Sequence, residues 1–196
     1  MSENVLVVTF EVTVKEEYAW DSMGRAKAEF AVPKGFLHAI DPGNIESAWV
    51  LIDDKLRPIR CAKEENEVVR MSLVHNEFDH DVLAMEEIIG RKWSGAEVTQ
   101  TAFWSGRLCE ASAADFALIN RSKIRWHIGK EKKTNDTVII TRLIERFCHD
   151  LFKQFVSENI TRRKLINAAK KKYFHGFKDD IWQAYAVGIT YIDLNQ

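Results

Sequence analysis

Residues 35–61 read GFLHAIDPGNIESAWVLIDDKLRPIRC, and the turns in this stretch decide the fold. Asp41, Pro42, Gly43 and Asn44 form a dense turn signal. Asp53, Asp54 and Lys55 lie between the apolar runs 47–52 and 56–61, where they predict a hairpin tip. Links this short join antiparallel neighbours, because a parallel crossover needs a dozen residues or more. A short strand over 35–40 precedes the first turn.

The same pattern extends in both directions. Upstream, Leu6, Val8, Phe10, Val12 and Val14 alternate with Thr9, Glu11 and Thr13, the period of a half-buried strand. Ala28, Phe30 and Val32 repeat it until Pro33. Downstream, Val69, Met71 and Leu73 alternate after the polar turn at 63–66. Residues 1 to about 75 therefore predict an antiparallel sheet with one covered face.

Beyond this sheet the periods are mixed. Val82, Leu83, Met85, Glu86, Ile88 and Ile89 predict a short helix, begun at Asp79 or Asp81 and ended at Gly90. Residues 98–104 predict a strand and 112–120 a short helix capped by Ser112. Ile124, Trp126 and Ile128 alternate with Arg125 and His127, predicting a strand with a basic outer face. Leu143, Ile144, Phe147, Cys148, Leu151, Phe152, Phe155 and Val156 form one broad apolar helical stripe. Residues 137–141 are either its first turn or a strand paired back onto 124–128. Thr161 caps a second helix over 162–173, which Gly176 ends. Asp179 or Asp180 caps a last segment carrying Ile181, Trp182 and Tyr185, and Gly188 precedes a closing strand at 189–192. The predicted class is α+β, an N-terminal mostly antiparallel β-sheet part followed by a helical C-terminal part. The parts are 1–128 and 137–196, as two domains or one continuous core.

Composition narrows the function classes. The chain has 196 residues, 46% hydrophobic and 29% charged, as in ordinary globular proteins. A chain of this length buries enough surface to fold without a disulfide or a metal. With 9 Gly and 3 Pro it is neither collagenous nor disordered. Cys61, Cys109 and Cys148 are odd in number and widely spaced, which excludes zinc ribbons and thioredoxin-type motifs. Free thiols suit a reducing cytosol. The apolar run near Met1 has polar interruptions and no basic lead, so no signal peptide is predicted. No run reaches the ~18 apolar residues of a membrane span, so a cytoplasmic protein with no membrane partner is expected. The glycine-rich nucleotide motifs and the nucleophile elbow G-x-S-x-G are absent. Cys148 lies on the apolar stripe and is read as core, its neighbour His149 pointing elsewhere.

The net charge of −1 hides a division: residues 1–120 carry −9 and residues 121–196 carry +8. Such asymmetry predicts a nucleic-acid partner for the basic part, or a basic protein partner for the acidic part. The same charges also allow the two parts simply to attract each other. Arg162, Arg163 and Lys164 lie about two helical turns, ~7.2 residues, from Lys170, Lys171 and Lys172, so parts of both clusters share a face. Such a row tracks a phosphate backbone, with Tyr173 following as a stacking platform and Arg125 as a further cation. The plainer reading is a solvated basic face.

Two other constellations carry ligand chemistry. His75, Glu77, Asp79, His80 and Asp81 are metal-ligand types. However, a spacing of five does not put both histidines on one helix face, and a polar connection explains the segment. Asp41 with Asp53, Asp54 and Lys55 has the residue types of a Mg²⁺ nuclease, two carboxylates and a lysine. Turn chemistry explains the same residues without catalysis. The leading expectation is a non-catalytic nucleic-acid-binding protein using its basic C-terminal helical face, with no cofactor or metal. Second is a protein–protein adaptor or inhibitor whose acidic N-terminal part binds a basic surface. A metal-dependent nuclease or phosphohydrolase is third. The choice of DNA or RNA and the oligomeric state stay open.

Overall fold

The computed structural model describes residues 19–20, 26–27, 36–78, 80–90, 95–131 and 134–195. The strands expected over 6–14 and 28–32 lie outside these residues. The chain divides into two units, Met1–Phe30 and Ala31–Gln196. In the first, β1 (Ala19–Trp20) pairs antiparallel with β2 (Ala26–Lys27).

The second unit is built on five strands in the order β5-β4-β3-β6-β7. β3 (Leu37–Asp41) is central; β4 (Glu46–Ile52) and β5 (Pro58–Glu65) follow it through the expected hairpins. On the other side, β6 (Val82–Glu87) and β7 (Asp115–Asn120) run parallel to β3. The class is α+β as expected, with the strands mostly N-terminal and the sheet mixed.

Several elements differ from the sequence reading, each for a physical reason. Residues expected as a strand around Val69 form α1 (Asn66–Val74), since Val69 and Leu73, four apart, are the buried pair. Met71, between them, is exposed at 37%. The segment expected as a helix over 82–89 is β6. Val82, Leu83, Ala84, Met85 and Glu86 are all buried, because a central parallel strand is covered on both faces. Such a run has no alternation to betray it. The strand expected at 98–104 is part of α2 (Ala96–Ala111), the crossover that the parallel pair β6 and β7 requires. The short helix expected at 112–120 is β7, in which buried Ala117 and Ile119 alternate with exposed Phe116 and Leu118.

The strand expected at 124–128 is α3 (Arg121–Gly129). Ile124 and Ile128 satisfy either period, and Trp126, 60% exposed, decides for the helix. The long apolar stripe breaks at Cys148 into α4 (Asp136–Phe147) and α5 (His149–Ser157), and no residue of α5 is fully buried. The basic helix is α6 (Arg162–Lys172), as expected, and Gly176 follows it at a positive φ of 79°.

The expected closing strand at 189–192 is the second half of α7 (Ile181–Asn195), whose residues from Ile181 to Ile192 are all buried. α7 lies against β3, β4 and β6. Gly188 permits the approach: a Cβ there would stand 2.4 Å from Ile52 Cδ1 and 2.9 Å from Ala39 Cβ. Strand alternation then divides β3. Leu37, Ala39 and Asp41 face α7. His38 and Ile40 face the opposite layer, where Ile40, Trp49, Leu51, Val69, Leu73, Leu83 and Leu108 form the other core.

Candidate active site

The site lies where the parallel half of the sheet meets the antiparallel half. β3 and β6 are neighbours, yet their connections leave toward opposite edges of the sheet. At such a switch point the carboxyl ends of parallel strands open a crevice. Asp41 is the last residue of β3 and Glu86 the penultimate residue of β6. Ile40 is in register with Met85, so the next step sets Asp41 beside Glu86, and parallel partners share a face.

Three helix starts complete the surroundings. Arg121 opens α3, and the Asn120 carboxamide caps that helix by accepting from the Ser122 amide at 2.8 Å. Asp136 opens α4, where Asn135 accepts from the Val138 amide at 3.0 Å. Asp180 directly precedes α7. Arg121 donates from Nη1 to Glu86 Oε2 at 2.7 Å and from Nη2 to Asp136 Oδ1 at 2.6 Å. Lys63, two strands from Asp41 at the same level of the sheet, donates to Asp180 Oδ2 at 2.7 Å.

Charge in this site is unbalanced. Burial pushes the Asp41 carboxyl well above the usual carboxylate range, and the negative charges of Glu86, Asp180 and Asp136 push it further. Arg121 opposes them without prevailing. Glu86 is also raised, by burial first and then by Asp136, against the pull of Arg121 and Arg125. Burial works against the Arg121 guanidinium, yet Glu86, Asp136 and Asp41 together raise its pKa. Arg125 lies one helical turn beyond Arg121, and its buried Nε has no hydrogen-bond partner among the described residues.

This donor set fits a hard divalent cation, which takes carboxylate oxygens. A half-buried carboxylate whose ionisation is opposed by desolvation and by its acidic neighbours is the group that a cation would relieve. In the conformation described, no three His, Cys, Asp or Glu side chains among the described residues are grouped so as to hold a metal. Glu86 and Asp136 are held by Arg121, and Asp180 by Lys63.

The residues singled out from sequence fall in different places. Asp41 is in the site, but Asp53 and Lys55 are not its partners. Asp53 accepts from the Lys55 and Arg57 amides at 3.0 and 2.7 Å and from Arg57 Nε at 2.7 Å, which is hairpin chemistry. His80 is buried, its Nδ1 2.5 Å from the Phe78 carbonyl and its Nε2 3.2 Å from Ser112 Oγ, so it ties a loop to the end of α2. His75 is the exposed C-cap of α1. Arg162, Arg163, Lys164, Lys171 and Lys172 are exposed on α6, and Lys170 is half-buried. Tyr173 does not offer a free ring: it stacks on Phe147 with centroids 5.3 Å apart, and its hydroxyl donates to the Leu56 carbonyl at 2.9 Å.

Sequence reasoning missed Glu86, Arg121, Asp136 and Asp180 as site residues. Glu86 alone carried a signal, a charge inside an apolar run, since a buried charge needs a reason.

No family model and no curated protein sequence matches the chain. Solved structures do. RuvC of Thermus thermophilus in complex with a Holliday junction substrate is 9% identical, with a TM-score of 0.54 over 80% of this chain and 92% of that one. A second T. thermophilus RuvC structure is 8% identical, with a TM-score of 0.53 over 82% and 95%. The yeast mitochondrial Holliday junction resolvase Ydc2 is 8% identical, with a TM-score of 0.50 over 85% and 82%. At these identities the likeness is one of fold. It overturns the leading expectation of a non-catalytic binder. The shared fold is that of a resolvase and of a protein solved with its junction substrate, and here it gathers carboxylates at its switch point. Among the described residues no helix is long and apolar enough to cross a membrane.

Proposed function

We propose that this chain is a metal-dependent nuclease that cleaves branched DNA. The observation that carries the reading is the half-buried Asp41 beside Glu86, with the Asp180 and Asp136 charges acting on it, in a fold shared with Holliday junction resolvases. Asp41, Glu86 and Asp180 would hold the divalent cation, once Glu86 and Asp180 leave their present partners. Bound there, the cation would supply an activated water and neutralise charge developing on the phosphate.

The chain's own residues account for the rest. Its position at the end of the central strand β3 sets Asp41 beside Glu86. Arg125, with its unpartnered Nε one turn from Arg121, supplies positive charge beside the carboxylates for a phosphate. The starts of α3 and α4 add amide dipoles of the same sign. In this reading Arg162, Arg163, Lys164, Lys170, Lys171 and Lys172 on α6 form an accessory contact to duplex arms, through phosphates and without base readout.

The experiment is incubation of the full chain with a synthetic four-way junction, a linear duplex and single-stranded DNA and RNA, each in Mg²⁺, Mn²⁺ or EDTA. The expected result is junction cleavage that needs the metal and exceeds that of the linear duplex. Cleavage of no substrate in either metal, or cleavage that persists in EDTA, would overturn the reading.

A further inference from the structure

Arg121 sits between two carboxylates of unequal standing. The Glu86 side chain is 8% exposed, whereas that of Asp136 is 55% exposed. One prong of the guanidinium therefore enters the site and the other reaches its rim. The two acceptors come from different elements, β6 and the start of α4, so the guanidinium bridges sheet and helix. Breaking a buried ion pair is costly because it strands a charge, unless another cation takes the place of the one removed. Breaking an exposed pair costs little. The inner contact is thus the one that another cation can replace, while the outer acceptor offers the displaced guanidinium a place at the rim.

The reading of the site as a metal centre makes the replacement concrete, and the present inference rests on it. We propose that Arg121 is a positioning residue, a built-in counter-cation that occupies Glu86 in the metal-free protein and yields it to a divalent cation while Asp136 retains the guanidinium at the rim. Four carboxylates at Asp41, Glu86, Asp136 and Asp180 repel one another when no metal is present. Arg121 and, on the far side, Lys63 hold that state together. The same contact lowers the apparent metal affinity, because the metal must displace a guanidinium that is already paired. Once displaced, Arg121 stands one turn from Arg125 with an unused prong, as a second cation for a phosphate.

A purely structural bridge would behave differently, and binding measurements separate the two cases. Mn²⁺ is titrated calorimetrically into the wild type, Arg121→Gln, Arg121→Lys and Asp41→Asn, and each is melted in EDTA and in saturating Mn²⁺. The proposal expects Arg121→Gln to bind Mn²⁺ roughly 10-fold more tightly than wild type, about 1.4 kcal/mol. It also expects Arg121→Gln to melt lower in EDTA, with the deficit shrinking in Mn²⁺. Arg121→Lys keeps the charge but cannot fork, and is expected between the two; it carries the test if Arg121→Gln does not fold. Unchanged or weaker Mn²⁺ binding by the Arg121 variants, or a melting deficit equal in EDTA and Mn²⁺, would overturn the proposal and leave the metal centre standing. Failure of the wild type to bind Mn²⁺, or equal binding by Asp41→Asn, would overturn both.

Discussion

Asp41 and Asp53 end neighbouring strands of one sheet, and their surroundings are opposite. Asp53 closes β4 at a hairpin tip and is satisfied by its own turn: two amides and the Arg57 guanidinium donate to it. Burial pulls its pKa upward, but the Arg57 hydrogen bonds and charge outweigh that pull and hold it below the usual range. Asp41 closes β3 at the switch point, where burial and three other carboxylates raise its pKa and the nearby guanidinium is engaged elsewhere. A satisfied carboxylate stabilises the fold. A carboxylate left short of countercharge destabilises it, and is kept where something else is to be bound. The antiparallel half of the sheet thus spends its acid on a turn, while the parallel half directs its acids into the crevice.

The largest expected effect is on activity: Glu86→Gln should lower metal-dependent junction cleavage by at least ~100-fold, about 2.7 kcal/mol of transition-state stabilisation. Cleavage kinetics with and without added metal measure this. Next is Gly188→Val, whose new Cβ would overlap Ile52 and Ala39. Overpacking of this kind costs ~1–3 kcal/mol, and urea unfolding should show it. Because Asp180 directly precedes α7, cleavage should fall as well.

Asp53→Asn should cost about 1–3 kcal/mol of stability by removing a charged acceptor, while leaving cleavage near the wild-type level. The pH dependence has a definite sign. Asp53 has a lowered folded pKa, so its stabilisation is complete above the ordinary value of ~3.9 and is lost as pH falls through the folded pKa. Asp41 has a raised folded pKa, so its ionisation costs stability as pH rises above that ordinary value. Acid unfolding of Asp53→Asn beside wild type should therefore show less loss of stability at low pH. The smallest effect is expected at His38, which is fully buried, with its pKa lowered to about 3 by burial and by His80. Both ring nitrogens lack partners among the described residues. His38→Leu strands no hydrogen-bonding group and should change stability by no more than ~1 kcal/mol; thermal melting checks this.

The parts of the fold that were legible in the sequence are those with local signals. The hairpin at Asp53 and the strands on either side of it are fixed by turn chemistry within a few residues. The basic helix α6 is marked by its Thr161 start and Gly176 end. The parallel half was not legible, because β6 is apolar on both faces and reads equally as a buried helix. Reading β6 as a helix also hides the crossover α2 and the strand β7, and leaves a sheet that looks mostly antiparallel. Gly188, expected just ahead of a closing strand, instead lets α7 approach Ile52 and Ala39.

The site shared this fate. Asp41 was visible as a carboxylate of the right kind, but its partners lie 45 to 139 positions away, on β6 and at the start of α7. Only the topology brings them together. The visible Asp53 and Lys55 were the wrong partners because nearness in sequence favoured them. The +8 of the last third was real but uninformative about chemistry, since charge speaks to association and not to a reacting centre.

One paired measurement tests whether Asp41 is kept for a ligand at a cost to the fold. Asp41→Asn is assayed for cleavage of a four-way junction in Mg²⁺ and melted in EDTA near pH 8, beside Asp53→Asn. Asp41→Asn is expected to lose cleavage by at least ~100-fold while melting at or above the wild-type temperature. Asp53→Asn should melt lower and still cleave. Retained cleavage by Asp41→Asn, or a fall in its melting temperature like that of Asp53→Asn, would contradict the claim.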